Sequence, residues 1–339
     1  MPGSESVPAF TTAPTHSSLG RRADYGPELL QRLSASVVGR QRELEVIVAA
    51  LAAGRHLLLE GPPGTGKSTV LRAIAGAAEA GYEFVEGNAE LTPARLVGSF
   101  DPAAALAEGY VPEAFLDGPL LTAMREGSLL YVEEINRIPE ETLNVLITVM
   151  SEGELHVPRL GKVAADDGFR LVAAMNPFDA VGTARIASAV YDRCCRLAMD
   201  YQSAVDEVRI VATEAPDAAA VVGVDGMAAV VAMVRDSRIH PDVRTGSSVR
   251  GAIDLVLLAH ELSALRGLSP LDGRVSLDVS LLALSGRIRL REGSTRSAEE
   301  VVTELWERHL APLGEAAGDG SGTGDTEDGA PGPGGQGKA

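Results

Sequence analysis

The run GPPGTGKST at residues 61–69 leaves this chain few ways to fold. Directly before it stands HLLLE (56–60), an apolar stretch of strand length, and after it the apolar residues of TGKSTVLRAIAGAAEAG recur at helical spacing. A strand emptying through a glycine-rich loop into a helix satisfies the pattern G-x-x-x-x-G-K-[ST] in its confirming context, with Gly61, Gly66, Lys67 and Ser68 at the defining positions. Glycines let the loop turn its N–H groups onto phosphate oxygens in conformations that a Cβ would obstruct, and the start of the helix adds its positive end. Pro62, Pro63, Gly64, Thr65 and Thr69 complete the cradle. Lys67 is expected to reach the β and γ phosphates, and the Ser68 hydroxyl to join a Mg2+ shell. A GTP site would carry an N/T-K-x-D base-reading segment after a later strand; none follows, so ATP is favoured.

Short apolar runs alternate with helix-period stretches up to about residue 203. The strand candidates are 56–60, YEFVEG (82–87), SLLYVEE (128–134) and FRLVAAMN (169–176); between them lie the helix after the loop, DGPLLTAMREG and PEETLNVLITVMSEG, with Pro139 at a helix start and Gly153 at its stop. Such alternation predicts an α/β domain with a mainly parallel sheet between helices. From 204 onward the pattern reads as helical throughout, a second and smaller unit. The expected organisation is a disordered tail over 1–27, a nucleotide-binding core over 28–203, a helical lid over 204–313 and a disordered acidic, Gly-rich tail over 314–339.

The strand 128–134 ends in Glu133 and Glu134. In a phosphate-binding sheet, the strand beside the cradle strand is expected to bring acids to its carboxyl edge. Glu133 would hold Mg2+, and Glu134 would polarise the attacking water. The usual first acid is Asp, so Glu133 extends the metal contact by one methylene. That departure keeps a non-hydrolysing, nucleotide-gated scaffold as an alternative.

Thirty Lys and Arg against forty-seven Asp and Glu give a net charge of −17, which disfavours duplex nucleic acid as a partner. Cys194 and Cys195 are adjacent, a spacing that suits neither a long-range disulfide nor a metal site. No apolar run of membrane-spanning length and no secretory leader are apparent, so the expectation is a cytoplasmic protein without a membrane span.

The segments VVGRQRELEVIVAAL, GPPGTGKS, LLYVEEINR, VAAMNPFD, YDR and GSSVRGA occur in the order found in AAA+ ATPases. Over residues 30–312 the chain resembles the branch of MoxR and the magnesium-chelatase motor subunits, whose fold is an AAA+ core followed by a small all-helical lid. In that branch 96–124 is similar to the helix-2 insert and 154–176 to a hairpin before the fourth core strand. The resemblance implies that Asn176 senses the γ-phosphate or the attacking water. It implies that Arg193, with Arg196 close by, is a finger inserted into a neighbouring subunit, and that Arg250 is a second sensor on the lid. Val38 and Gly39, just before the first helix, would line the adenine pocket, and Arg137 would contact a neighbour. The implied activity is hydrolysis of ATP by a homo-oligomer, a hexameric ring. It would act as a chaperone-like motor with a von Willebrand factor A domain partner, or alternatively as the motor of a magnesium or cobalt chelatase.

Overall fold

The computed structural model describes residues 24–177 and 188–318, and for 315–318 the backbone only. It divides into two units: one comprises the residues up to Met199 without Pro63–Thr65, the other Pro63–Thr65 and the residues from Asp200 onward.

In the first unit, α1 (Pro27–Ser36) and α2 (Gln41–Ala52) lead into β1 (His56–Glu60), followed by α3 (Lys67–Ala77) and β2 (Tyr82–Glu86). Next come α4 (Pro93–Val97), β3 (Gly98–Phe100), α5 (Pro102–Glu108), β4 (Phe115–Asp117), α6 (Pro119–Glu126) and β5 (Leu129–Glu133). The unit ends with α7 (Glu140–Glu152), β6 (Glu154–Val157), β7 (Gly161–Ala164), β8 (Arg170–Met175), α8 (Ser188–Tyr191) and β9 (Cys194–Ala198). Five strands form one parallel sheet in the order β2-β5-β8-β1-β9.

Strand alternation sorts the core into two faces. Leu57, Leu59, Leu129, Tyr131, Val172 and Ala174 point to a cluster shared with α1, α2 and α3. Leu58, Leu130, Val132, Leu171 and Ala173 point to the opposite cluster, shared with α4, α6 and α7. The insert and hairpin expected from the resemblance are present as the antiparallel pairs β3–β4 and β6–β7.

Two expectations are corrected here. Four strands were expected, but β9 makes a fifth: it is an edge strand in which only Leu197 is buried, so CCRLA carries almost no periodic signal. The acidic strand β5 is also not beside the cradle strand β1. β8 lies between them and hydrogen-bonds to both, because the chain crosses over to insert it centrally.

The second unit holds α9 (Ala204–Glu214), α10 (Pro216–Ile239), β10 (Val243–Thr245), α11 (Val249–Arg266), α12 (Gly273–Leu284), β11 (Arg289–Leu290), α13 (Ala298–His309) and α14 (Ala311–Gly318). It is not helical throughout, since β10 and β11 pair antiparallel. The tail boundaries shift as well: α1 starts at Pro27 and precedes Val38 and Gly39, while α14 runs on to Gly318. The rest of both expected tails lies outside the described residues.

α10 corrects the reading that no apolar run reaches spanning length. It is the one helix among the described residues long and apolar enough to cross a membrane, with a mean hydropathy of 1.8 over its best window. Its backbone leaves helical geometry at Gly223 (φ 78°, ψ 169°), and half of that window is buried, with Val230, Val231, Met233 and Val234 in the core of the unit. Beside them Glu207, 1% exposed, accepts from Arg238 at 2.7 Å and Arg235 at 3.3 Å, and the Arg238 guanidinium stacks on Tyr201 at 3.8 Å.

Candidate active site

The loop leaving β1 is shaped by residues whose backbone only glycine adopts easily. Gly64 (φ 75°) and Gly66 (φ 84°) are left-handed, and Gly66 is the capping residue directly before α3. Lys67, 8% exposed, turns its ammonium back along the loop and donates to the carbonyls of Gly61 at 2.8 Å and Pro62 at 2.9 Å. Thr65 is fully buried. Such a cation is held by neutral carbonyl dipoles at the mouth of a helix, where an anion would gain from both.

Ser68, on the first turn of α3, reaches across the sheet. Its hydroxyl donates to Glu133 Oε1 at 3.1 Å, so the cradle and the acidic strand meet although a strand separates their backbones. Tyr131 Oη lies 3.3 Å from the same hydroxyl. With the Ser68 proton on Glu133, Tyr131 is the donor to Ser68. Burial, more than any neighbouring group, pushes the Tyr131 phenol well up, which keeps its proton in place. The Ser68 hydroxyl and the Glu133 carboxylate are hard oxygen donors at hydrogen-bond separation, a pairing that suits Mg2+.

Glu134 follows in a left-handed conformation (φ 53°, ψ 42°), uncommon for a residue with a Cβ and concentrated at functional sites. Its carboxylate is 3.0 Å from Arg137 of the same chain. The turn is braced by Gly87, whose N–H donates to the Glu133 carbonyl at 2.7 Å. A Cβ on Gly87 would lie 2.3 Å from the Glu134 carbonyl oxygen, so the approach requires glycine. Asn176 is the first residue past β8, the strand between β1 and β5, and is half-buried. Thus Glu133, Glu134 and Asn176 stand at the carboxyl ends of β5 and β8 or directly after them, and Lys67 and Ser68 in the first turn of the helix that follows β1.

Arg193 is exposed just ahead of β9; it donates from Nε to Ser151 Oγ, and from Nη1 to the Ala189 carbonyl at 2.9 Å. Arg196 is engaged differently, pairing with Glu60 at 2.5 Å. Val38 is half-buried and Gly39 exposed at φ 66°, between α1 and α2. Arg250 is exposed in the first turn of α11 in the second unit.

Sequence reasoning passed over Tyr131, Gly87 and Glu60. The first reads as one more apolar strand position and the second as a turn glycine. Glu60 did carry a signal, as an acid closing an otherwise apolar strand directly before the loop.

Residues 56–194 match the AAA domain of the dynein-related subfamily. Gas vesicle ATPase GvpN2 of Halobacterium salinarum is 29% identical over 284 residues, 78% of this chain and 76% of that protein. Gas vesicle ATPase GvpN of Haloferax mediterranei is 28% identical over 271 residues, 75% of each. An uncharacterized protein of Staphylococcus aureus is 34% identical over 149 residues, and the aligned part spans only 56% of its length. Among solved structures, the RuvB Holliday junction branch migration motor of Thermotoga maritima aligns with 75% of this chain and 72% of its own at 17% identity and a TM-score of 0.49. With the acidic strand end and the parallel sheet of the first unit on the page, residues 56–194 form an AAA domain, and over about three quarters of its length the chain is similar to gas vesicle ATPases.

Proposed function

We propose that the chain binds and hydrolyses Mg-ATP as one subunit of a hexameric ring, a chaperone-like motor that remodels or matures a partner complex. The observation that carries this reading is the 3.1 Å contact between Ser68 and Glu133 beside a buried Lys67, which brings an anion cradle and a carboxylate together. Lys67 pairs with the β and γ phosphates, and the loop N–H groups hold the remaining oxygens. Ser68 and Glu133 hold Mg2+, which when bound neutralises charge on the β and γ phosphates. Glu134 accepts the proton of the attacking water as its oxygen bonds to the γ-phosphorus and ADP leaves. Asn176 orients that water.

In this reading Val38 and Gly39 flank the adenine, Arg193 completes the site of the next subunit, and Arg250 ties the second unit to the γ-phosphate. Losing that phosphate releases both arginines together, a rigid-body step that the ring passes to its client. A von Willebrand factor A domain protein is the partner expected for this branch. The two gas vesicle ATPases among the relatives make a gas vesicle assembly the first client to test.

The test compares wild type with Glu134→Gln for binding of a fluorescent ATP analogue and for phosphate release. Binding should persist while turnover falls at least about 10²-fold. Turnover by the variant at the wild-type rate would remove Glu134 from the mechanism. The same variant should retain a gas vesicle protein complex in the presence of ATP and release it with ADP.

A further inference from the structure

A buried charge adjoining the phosphate loop has no part in the proposed mechanism. Glu60 closes β1, is 4% exposed, and is joined directly to Gly61, the first residue of the phosphate loop. An acid here carries two costs on elementary grounds: burial penalises its charge, and that negative charge weakens the pull of the adjoining loop on phosphate. An apolar side chain would end the strand without either cost.

Both carboxylate oxygens are taken, and the partners come from one short segment. Oε2 accepts from Arg196, at 2.5 Å from Nε and 2.5 Å from Nη2. Oε1 accepts the Tyr191 hydroxyl at 2.8 Å. Burial first, and then the Glu60 carboxylate, push the Tyr191 phenol up, so it remains a donor. Tyr191 ends α8 and Arg196 lies in β9, and Arg193 stands between them in sequence. The Arg196 side chain is 55% exposed and Tyr191 41% exposed, so packing covers only about half of each, and the carboxylate supplies the directional ties.

The geometry points to Glu60 as a positioning residue: it ties the Arg193 arm, on both sides of the arginine, to the strand that opens the subunit's own phosphate loop. A displacement of that loop on filling or emptying is then transmitted to the guanidinium offered to the neighbour, with no element in between. This rests on the reading of Arg193 as a finger acting in the next subunit.

Subunit mixing separates the two claims. Arg193→Ala and Glu134→Gln are each expected to be inactive alone and to regain activity when mixed, since the mixed ring contains interfaces with one intact finger and one intact base. Failure of that pair to complement would overturn the finger reading, and the coupling with it. Glu60→Gln keeps the shape and removes the charge. It should lower kcat at least about tenfold with KM for ATP changed less than threefold, because a guanidinium displaced by about an ångström forfeits most of its effect. Mixed with Glu134→Gln it should regain activity as Arg193→Ala does; mixed with Arg193→Ala it should regain none.

The reverse pattern, rescue by Arg193→Ala but not by Glu134→Gln, would show that Glu60 serves only its own loop and would overturn the proposal. An unchanged kcat, or rescue by neither, would do the same. Should Glu60→Gln fail to fold, Tyr191→Phe removes one of the two ties without removing the ring and is expected to show the same complementation pattern.

Discussion

Glu133 and Glu207 are the same side chain, one in each unit, and they are held by opposite means. Glu207 is 1% exposed and receives two guanidinium groups, from Arg235 and Arg238. Glu133 is half-buried and receives a serine hydroxyl, and among the described residues no cation pairs with it. A charge neutralised by its own fold adds cohesion and has nothing left to offer. A charge met by a neutral donor at a strand end, beside an anion cradle, keeps its attraction for a cation from outside. In the proposed mechanism the first acid takes the metal, while the second only holds its own fold together.

The most severe test of this contrast is Glu133→Gln. The amide can still accept from Ser68, so the melting temperature should stay within about one degree, yet it can no longer bind a hard cation well. ATP turnover should fall on the order of 10³-fold, about 4 kcal/mol of lost stabilisation, with the loss partly recovered at high Mg2+ concentration. A variant that hydrolyses ATP normally would break the comparison at its first member.

Glu207→Gln tests the second member, with the opposite outcome. Removing the charge leaves Arg238 buried without its counter-ion, which costs about 3 kcal/mol; Arg235, 37% exposed, adds little because water screens it. Unfolding followed by urea and by heat should show that loss. A Glu207→Gln protein as stable as wild type would mean that the cluster is incidental.

The same distinction explains what could be read from the sequence. The cradle and the strand-end acids were legible because their chemistry needs particular residues at fixed spacing: Gly61, Gly66, Lys67, Ser68 and the pair Glu133 and Glu134 lie in contiguous segments. Of the four expected sheet strands, β1, β5 and β8 were legible by their buried apolar runs, and β2 by length and flanking turns alone. β9 was not, because an edge strand with one buried residue leaves no period. Strand order was not legible either: the central place of β8 is decided by crossover geometry, which no local pattern encodes. Glu207 and its arginines are separated by roughly thirty residues of helix and meet only through tertiary packing, so nothing in their spacing announces them. Glu60 is the intermediate case, with its oddity visible in HLLLE but its partners, 131 and 136 residues away, invisible.

His56 extends the comparison to a third way of keeping a titratable group indoors, by never letting it charge. Its Nδ1 accepts the Leu171 N–H at 2.9 Å, and its ring lies 5.9 Å from that of Phe169. Burial, helped by the charges of Arg170 and Arg55, lowers its pKa to about 4. In the unfolded chain it titrates near 6.5, so between those values the unfolded state holds the extra proton and stability must fall with decreasing pH. The loss is absent above about pH 6.5, grows through pH 5, and levels off below about pH 4. From pH 7 to pH 5 it amounts to about 2 kcal/mol from this one ring. Asn at the same position offers an acceptor oxygen near the place of Nδ1 and takes up no proton in that range. The His56→Asn protein should therefore show a flatter decline in urea stability between pH 7 and pH 5, whatever its absolute stability at pH 7. Parallel declines in the two proteins would mean that His56 is protonated in the fold without penalty, and that the acid sensitivity originates elsewhere.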